Sequence, residues 1–229
     1  MRDPVLYHFY SDTQSQRLRL ALGYKKINYR DHPVAWDDDE VFFELGLARK
    51  VPVLVLESGK LLTDSCEILD KIDELFPQQP FLVNNIIDQA AWKAVLSWRE
   101  KIEALLSRLL APALLNYAEI ADHPHNVEAY KRQIQQQFNM SAEALASDRY
   151  AAYEQFAQIS HIHALGKHLS KNRFDMGQMS IADVLITADL YPLQCLDGVS
   201  LPIDILYYLA RVEKMCGVDL QQGFRVKLS

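Results

Sequence analysis

Lys50-Val51-Pro52-Val53-Leu54, followed by Thr63-Asp64-Ser65-Cys66-Glu67, decides the fold of this chain. Proline has no N–H to give to a β ladder, so Pro52 inside the apolar run 51–56 belongs at the first residues of a strand or at an irregularity, a cis bond among them. The backbone just before it is then open to a ligand. Asp64 reads as a helix N-cap, with Glu67 three residues on to close a capping box. Ile68, Leu69, Ile72, Leu75 and Phe76 follow at the spacing of one helical face. Ser65 and Cys66 therefore fall in a first turn, where amides lack partners and the helix dipole is positive, a place suited to a small carboxylate.

Working outward, 6–10 is a short aromatic strand, 11–14 a polar turn, and 15–23 a helix with Ser15 as its cap and Gly23 as its stop. A strand at 27–30, a helix at 37–47, the proline strand, a strand at 60–62 and the helix from Asp64 complete an alternating α/β unit. Beyond residue 85 the pattern is helical throughout, and Pro77-Gln78-Gln79-Pro80 puts two helix breakers between the halves. The expected division is 1–76, a linker at 77–85, and an all-α unit at 86–229.

In the second half Ile87, Ala91, Ala94, Val95, Trp98, Ile102, Leu105, Leu106, Leu109 and Leu110 repeat at helical intervals up to Pro112. A turn at Asp122-His123-Pro124, a polar stretch, and a helix from 148 to 169 come next. At Ser180 a capping box with Asp183, and a staple between Met179 and Val184, open another helix. The last clear helix follows Pro202 and spans 203–214.

A chain of 229 residues, 49% hydrophobic and 24% charged, is ordinary for a soluble protein with a sizeable core. Its net charge of −6 and the lack of any long lysine or arginine block argue against a nucleic-acid partner. No window has the length of a membrane span, and Met1-Arg2-Asp3-Pro4 with its short strand lacks the apolar stretch of a secretion signal, so a cytoplasmic location is expected. Cys66, Cys195 and Cys216 are odd in number and widely spaced, which fits a reducing compartment and offers no zinc-like pattern. No metal is expected.

Three places in the first half converge on one polar pocket: the 11–15 turn, the backbone beside Pro52, and the helix start at Asp64 and Ser65. The segments that build them, Ser15-Gln16-Arg17-Leu18-Arg19-Leu20-Ala21-Leu22, Lys50-Val51-Pro52-Val53-Leu54 and Asp64-Ser65, resemble hallmark segments of the cytosolic glutathione S-transferases, in that family's order. Met179-Ser180-Ile181-Ala182-Asp183-Val184-Leu185 is similar to the box that opens a core helix in the family's helical domain. The resemblance implies a thioredoxin-like α/β N-terminal domain, an all-α C-terminal domain, a homodimer, and conjugation of glutathione, as co-substrate, to a small electrophile in detoxification.

Carried over residue by residue, Val51 would pair through its backbone with the cysteinyl part of glutathione, and Ser65 would receive the γ-glutamyl carboxylate. Asp64 would take the α-amino group and Lys50 the glycyl carboxylate. The family lowers the pKa of the glutathione thiol with a hydroxyl or a helix N-terminus. The serine of theta-like classes falls on Thr13, with Ser11 and Ser15 as rivals and Tyr7 a weaker one. The cysteine of omega-like and glutaredoxin-like classes falls on Asp12, so mixed-disulfide chemistry at that position is excluded. Asp12 also sets a carboxylate near the expected thiolate, and Asp37 stands where several classes carry a basic contact.

Plainer readings compete. Asp64 and Ser65 make an ordinary helix cap by themselves, and the Ser180 box is structural. His123 with His125 have no third ligand, His161 and His168 lie seven residues apart on a helix, about 10 Å along its axis and too far to share an ion, and both read as surface pairs. Arg17 and Arg19 suit packing and salt bridges, and Trp92, Trp98 and Tyr117 suit a core better than a substrate pocket. Two other functions fit the same fold: a non-catalytic protein-interaction or regulatory module, and a glutathione-dependent peroxidase or reductase lacking an enzyme cysteine.

Overall fold

A computed structural model of the protein describes residues 3–86 and 88–225. Ile87, expected on the first long helix, lies outside them. The chain opens with β1 (Val5–His8), α1 (Thr13–Tyr24), β2 (Arg30–Pro33), α2 (Glu40–Glu44), β3 (Val53–Val55), β4 (Leu61–Leu62), α3 (Ser65–Asp70) and α4 (Ile72–Leu75). The sheet order is β2-β1-β3-β4. β1 runs parallel to β2, with Val5 opposite Arg30, and antiparallel to β3, with Leu6 opposite Leu54. This is the thioredoxin-like α/β arrangement expected from the alternating pattern.

Nine described helical segments follow. They are α5 (Gln89–Leu114), α6 (Ala118–Ala121), α7 (Pro124–Phe138), α8 (Ala142–Ser147), α9 (Arg149–Ser160), α10 (Ile162–Lys171), α11 (Ile181–Leu190), a 3-10 turn at Tyr191–Cys195, and α12 (Ile203–Cys216). Every residue of α11 is buried, and Ser15 through Leu22 of α1 are buried on all sides. A helix enclosed on every face sits in the middle of a core. Here α1 lies between the sheet and the pair α11 and α12, and one apolar cluster runs from Leu6 and Leu54 through Leu20 to Ile186 and Leu209.

Several expected boundaries move, each for a local reason. Asp12, not Ser15, caps α1, because its carboxylate accepts the Ser15 N–H. Gly23 lies inside α1 rather than ending it; a Cβ there would meet the Cys216 carbonyl oxygen at 2.2 Å, so the glycine permits close approach of the chain after α12. The strand expected at 27–30 starts at Arg30, since Ile27 N–H returns to Leu22 O at 3.0 Å and closes α1 through Lys26 at φ 55°. The helix expected at 37–47 shrinks to Glu40–Glu44: Leu47 N–H bonds to Phe42 O at 2.9 Å. The single helix expected over 148–169 is two, broken at His161 with φ 50°. Ala94, expected on the buried face of α5, is exposed, whereas Val95, Ile102, Leu106 and Leu109 are buried. Pro112 lies within α5 near its end and does not stop it.

The segment joining the halves is tied down. Lys25 Nζ, fully buried at the end of α1, donates to Asp73 Oδ1 at 2.9 Å and to the carbonyls of Gln78 and Pro80 at 3.0 Å. The Asp73 carboxylate also accepts the N–H groups of Leu82, Val83 and Asn84.

Candidate functional site

The Val51–Pro52 peptide is cis, and among the described residues neither the amide nor the carbonyl of Val51 is hydrogen-bonded. Just before it Lys50 is exposed, with no carboxylate partner among the described residues. Asp64 caps α3 by accepting the N–H groups of Cys66 at 2.9 Å and Glu67 at 3.1 Å. The reciprocal half of the expected capping box does not form, because Glu67 pairs with Lys71 at 2.8 Å. The Ser65 N–H is left without a partner among the described residues.

Ser65 is buried, and its hydroxyl donates to Gln14 Oε1 at 2.8 Å. The same oxygen accepts from Arg17 Nη1 at 2.7 Å. Arg17 Nη2 in turn donates to Asp189 Oδ1 at 2.6 Å, and Asp189 Oδ2 accepts from Arg99 Nε at 2.5 Å. A continuous polar chain thus runs from the start of α3, across the start of α1, into α11 and α5. Arg17 is a structural residue of that chain, and Arg19 one of another, bonding to Gln16 and Gln222. Gln14 was not singled out by sequence; only its place next to Thr13 hinted at it.

Within the 11–15 turn the three hydroxyl candidates differ. Ser15 is fully buried, and its N–H and O–H both donate to Asp12 Oδ2, at 2.7 and 2.6 Å. The hydroxyls of Ser11 and Thr13 are half-buried and bonded to no described residue. Asp12 is folded back as the cap of α1. Burial pushes its carboxyl pKa up, against the bonds from Ser15 and the Gln14 N–H.

One contact had no sequence signal. Glu119 of α6, 6% exposed, accepts the Ser11 N–H on Oε1 at 2.6 Å, while its Oε2 is buried with no partner among the described residues. Its main-chain carbonyl accepts the Trp36 N–H at 3.1 Å, which pins α6 against the loop after β2.

Other candidates are engaged elsewhere. Asp37 bonds Asn126 at 2.9 Å and His125, and these contacts hold its carboxyl down at about 2. His125 is therefore bonded to Asp37, and His168 faces Asp175. Among the described residues no group of three His, Cys, Asp or Glu is arranged to hold a metal, and no helix is long and apolar enough to cross a membrane. Tyr117 is buried against Phe224, and Trp98 donates to Ser160 O at 2.8 Å, so both are packing residues. Cys66 is exposed, Cys195 half-buried and Cys216 buried.

A thioredoxin-like sheet with a cis-proline edge and a capped helix start, packed on a helical bundle through α1, is the architecture of the glutathione S-transferases. Residues 13–75 match the family described as "Glutathione S-transferase, N-terminal domain", and residues 94–224 match "Glutaredoxin 2, C terminal domain". The chain belongs to the glutathione S-transferase family, with a helical half of the glutaredoxin 2 type.

Among solved structures, glutaredoxin 2 of Salmonella typhimurium in complex with glutathione superposes with a TM-score of 0.82 at 18% identity, over 99% of this chain and all of that one. A glutathione S-transferase of Ceriporiopsis subvermispora, also with glutathione, gives 0.72 at 20% identity, over 93% and 98%. In sequence, the chain is 32% identical over 95 residues to a probable maleylacetoacetate isomerase of Caenorhabditis elegans, covering 40% of this chain and 44% of that protein. It is 30% identical over 128 residues to FtsZ-localized protein A of Caulobacter vibrioides, covering 48% and 56%. The match thus spans about half the length of these curated relatives.

Proposed function

We propose that this chain binds glutathione in the pocket between the 11–15 turn, Val51 and Ser65, and conjugates it to a small electrophile in the cytoplasm, as a homodimer. The carrying observation is the 2.8 Å bond from Ser65 to Gln14, which brings the start of α3 to the start of α1, and with it goes a Val51 backbone left unpaired among the described residues. An extended peptide pairs with the free Val51 amide and carbonyl. The Ser65 N–H and hydroxyl take its γ-glutamyl carboxylate, Asp64 its α-amino group, and Lys50 its glycyl carboxylate. Thr13, or Ser11 beside it, donates to the sulfur, since Ser15 already donates to Asp12. In the reaction the thiol proton leaves to water, the thiolate sulfur bonds to the electrophilic carbon, and that carbon's leaving group or π electrons take up the displaced pair.

Thr13→Ala is expected to lower kcat/KM with a generic aryl halide about tenfold to a hundredfold, the range for one lost anion-stabilising donor. Ser65→Ala is expected to raise the glutathione KM about tenfold with kcat nearly unchanged, since it removes a ground-state contact. Full activity in both variants would refute the site. Maleylacetoacetate is the first isomerisation substrate to assay, given the isomerase relatives.

A second reading has its own support: two carboxylates, Asp12 and Glu119, hold the amides of the turn that would otherwise steady a thiolate. On that reading the fold is a protein-interaction module, in line with the likeness to FtsZ-localized protein A. Calorimetric titration with glutathione separates the two. Binding in the micromolar to low millimolar range supports the enzyme, and its absence supports the module.

A further inference from the structure

The amides at the start of α1 are the natural donors to an anion at this turn, because they precede the first helical carbonyl acceptors and lie at the positive end of the dipole. In this protein several are already taken, while the Thr13 N–H has no partner among the described residues. Asp12 N–H returns to Phe9 O at 3.4 Å, Ser15 N–H goes to the Asp12 carboxylate at 2.7 Å, and Ser11 N–H goes to Glu119 at 2.6 Å. Asp12 is local and doubles as the helix cap. Glu119 is different: it arrives from α6, across 108 residues of sequence, and ends on the Ser11 amide, which no group of the turn itself takes up.

The geometry points to Glu119 as an electrostatic brake built into the helical half, which occupies the Ser11 amide with a fixed carboxylate and so keeps a thiol bound at the 11–13 turn protonated. This rests on the reading that glutathione occupies that pocket. The main chain that carries the carboxylate is fixed, its carbonyl accepting from Trp36 N–H at 3.1 Å and Asn126 Nδ2 at 3.4 Å, and the side chain is buried. Among the described residues no side chain donates a hydrogen bond to its carboxylate. The described titratable and charged groups that couple to it are Tyr10 after β1, Tyr117 ahead of α6, and Arg225, whose guanidinium is also engaged with Asp122. Glu119 Oε2 has no hydrogen-bond partner among the described residues. A negative charge so placed disfavours a second one forming on the adjacent sulfur, and the Ser11 N–H cannot serve both. The brake involves no covalent step; the only change is whether the thiol proton stays on sulfur or passes to water.

The test compares the wild-type protein with Glu119→Gln, which keeps the size and the oxygen acceptor for Ser11 and removes only the charge. Glutathione is added to each, and the ultraviolet absorbance of the thiolate is followed against pH. The bound thiol of E119Q is expected to titrate about one unit lower than that of the wild type, with turnover of a generic electrophile at neutral pH about tenfold higher. The wild-type complex alone gives a second check: its thiol is expected to titrate no lower than that of free glutathione. A wild-type midpoint clearly below the free thiol, an unchanged midpoint in E119Q, or a rise with loss of turnover would each overturn the brake while leaving glutathione binding intact. Absence of glutathione binding in both proteins would instead overturn the pocket assignment, and the brake with it. Should E119Q fail to fold, the wild-type titration still decides.

Discussion

Replacing Asp73 with alanine is expected to destabilise the fold by about 3–5 kcal/mol, the range for removing one partner of a buried ion pair. Lys25 Nζ is enclosed at the end of α1 and would be left with two carbonyls, from Gln78 and Pro80, and no counter-charge. Three main-chain N–H groups, of Leu82, Val83 and Asn84, would lose their acceptor together. Each buried donor left unpaired adds a desolvation penalty of about 1–3 kcal/mol unless water reaches it. The complementary change, Lys25→Met, leaves Asp73 with its three amides and replaces an ammonium by an apolar chain of similar length, so a smaller loss is expected. Urea unfolding of the two variants checks this order, and equal stability of Asp73→Ala and wild type would show that the segment before α5 is held by something else.

The same carboxylate predicts an acid limb. Burial works against its charge, but the Asn84 N–H, the Lys25 ammonium and the Leu82 N–H outweigh it and hold the pKa below the usual 3.8. A folded pKa below the unfolded one means that the unfolded chain binds the proton first. The contribution of Asp73 is therefore complete above about pH 4 and is lost as pH falls below it. In Asp73→Ala that limb should flatten.

Where the sequence was legible, the signal was confined to a few neighbouring residues. Pro52 marks the strand edge because it lacks an N–H, Asp64 caps α3 through amides two and three residues on, and Ser180 with Asp183 closes a box within one turn. Hydroxyls and carboxylates compete for backbone amides at short range, so such caps can be read before any fold is known. Even there competition misleads: Asp12 outbids Ser15 for the start of α1, and Lys71 draws Glu67 away from its cap. The rest depends on what the fold brings together. Glu119 lies 108 residues from Ser11, and Asp189 lies 172 from Arg17, and nothing near either acid announces its partner. Helix ends set by left-handed residues other than glycine, as at Lys26 and His161, are equally silent, since such a φ is tolerated only where packing enforces it. Thus the caps and the proline edge were readable from the first 76 residues, whereas the acid that meets the Ser11 amide came from the helical half.

The Ser180 box carries the second large effect. Asp183 is completely buried, and its Oδ1 accepts from Asp175 N–H and Tyr208 O–H, both at 2.9 Å, while Oδ2 accepts from Ser180 N–H at 2.9 Å and Ser180 O–H at 3.1 Å. Asp183→Ala is expected to remove about 3–5 kcal/mol, because four buried donors lose their acceptor and a cavity opens beside Tyr208. Asp183→Asn should cost less, about 2 kcal/mol, since one oxygen still accepts while the amide nitrogen faces donors on the other side. The pH signature distinguishes this carboxylate from Asp73. Burial raises Asp183 to about 6 in spite of the bonds from Asp175, Tyr208 and Ser180, against an ordinary value of 3.8. Between those values the folded state holds the proton and the unfolded state does not, so stability falls as pH rises through the window and is level above it. The margin of wild type over Asp183→Asn, which has no titrating group there, should therefore be widest near pH 4 and narrow toward pH 6. A margin that widens with pH would show that the four donors, rather than burial, govern the charge at the head of α11.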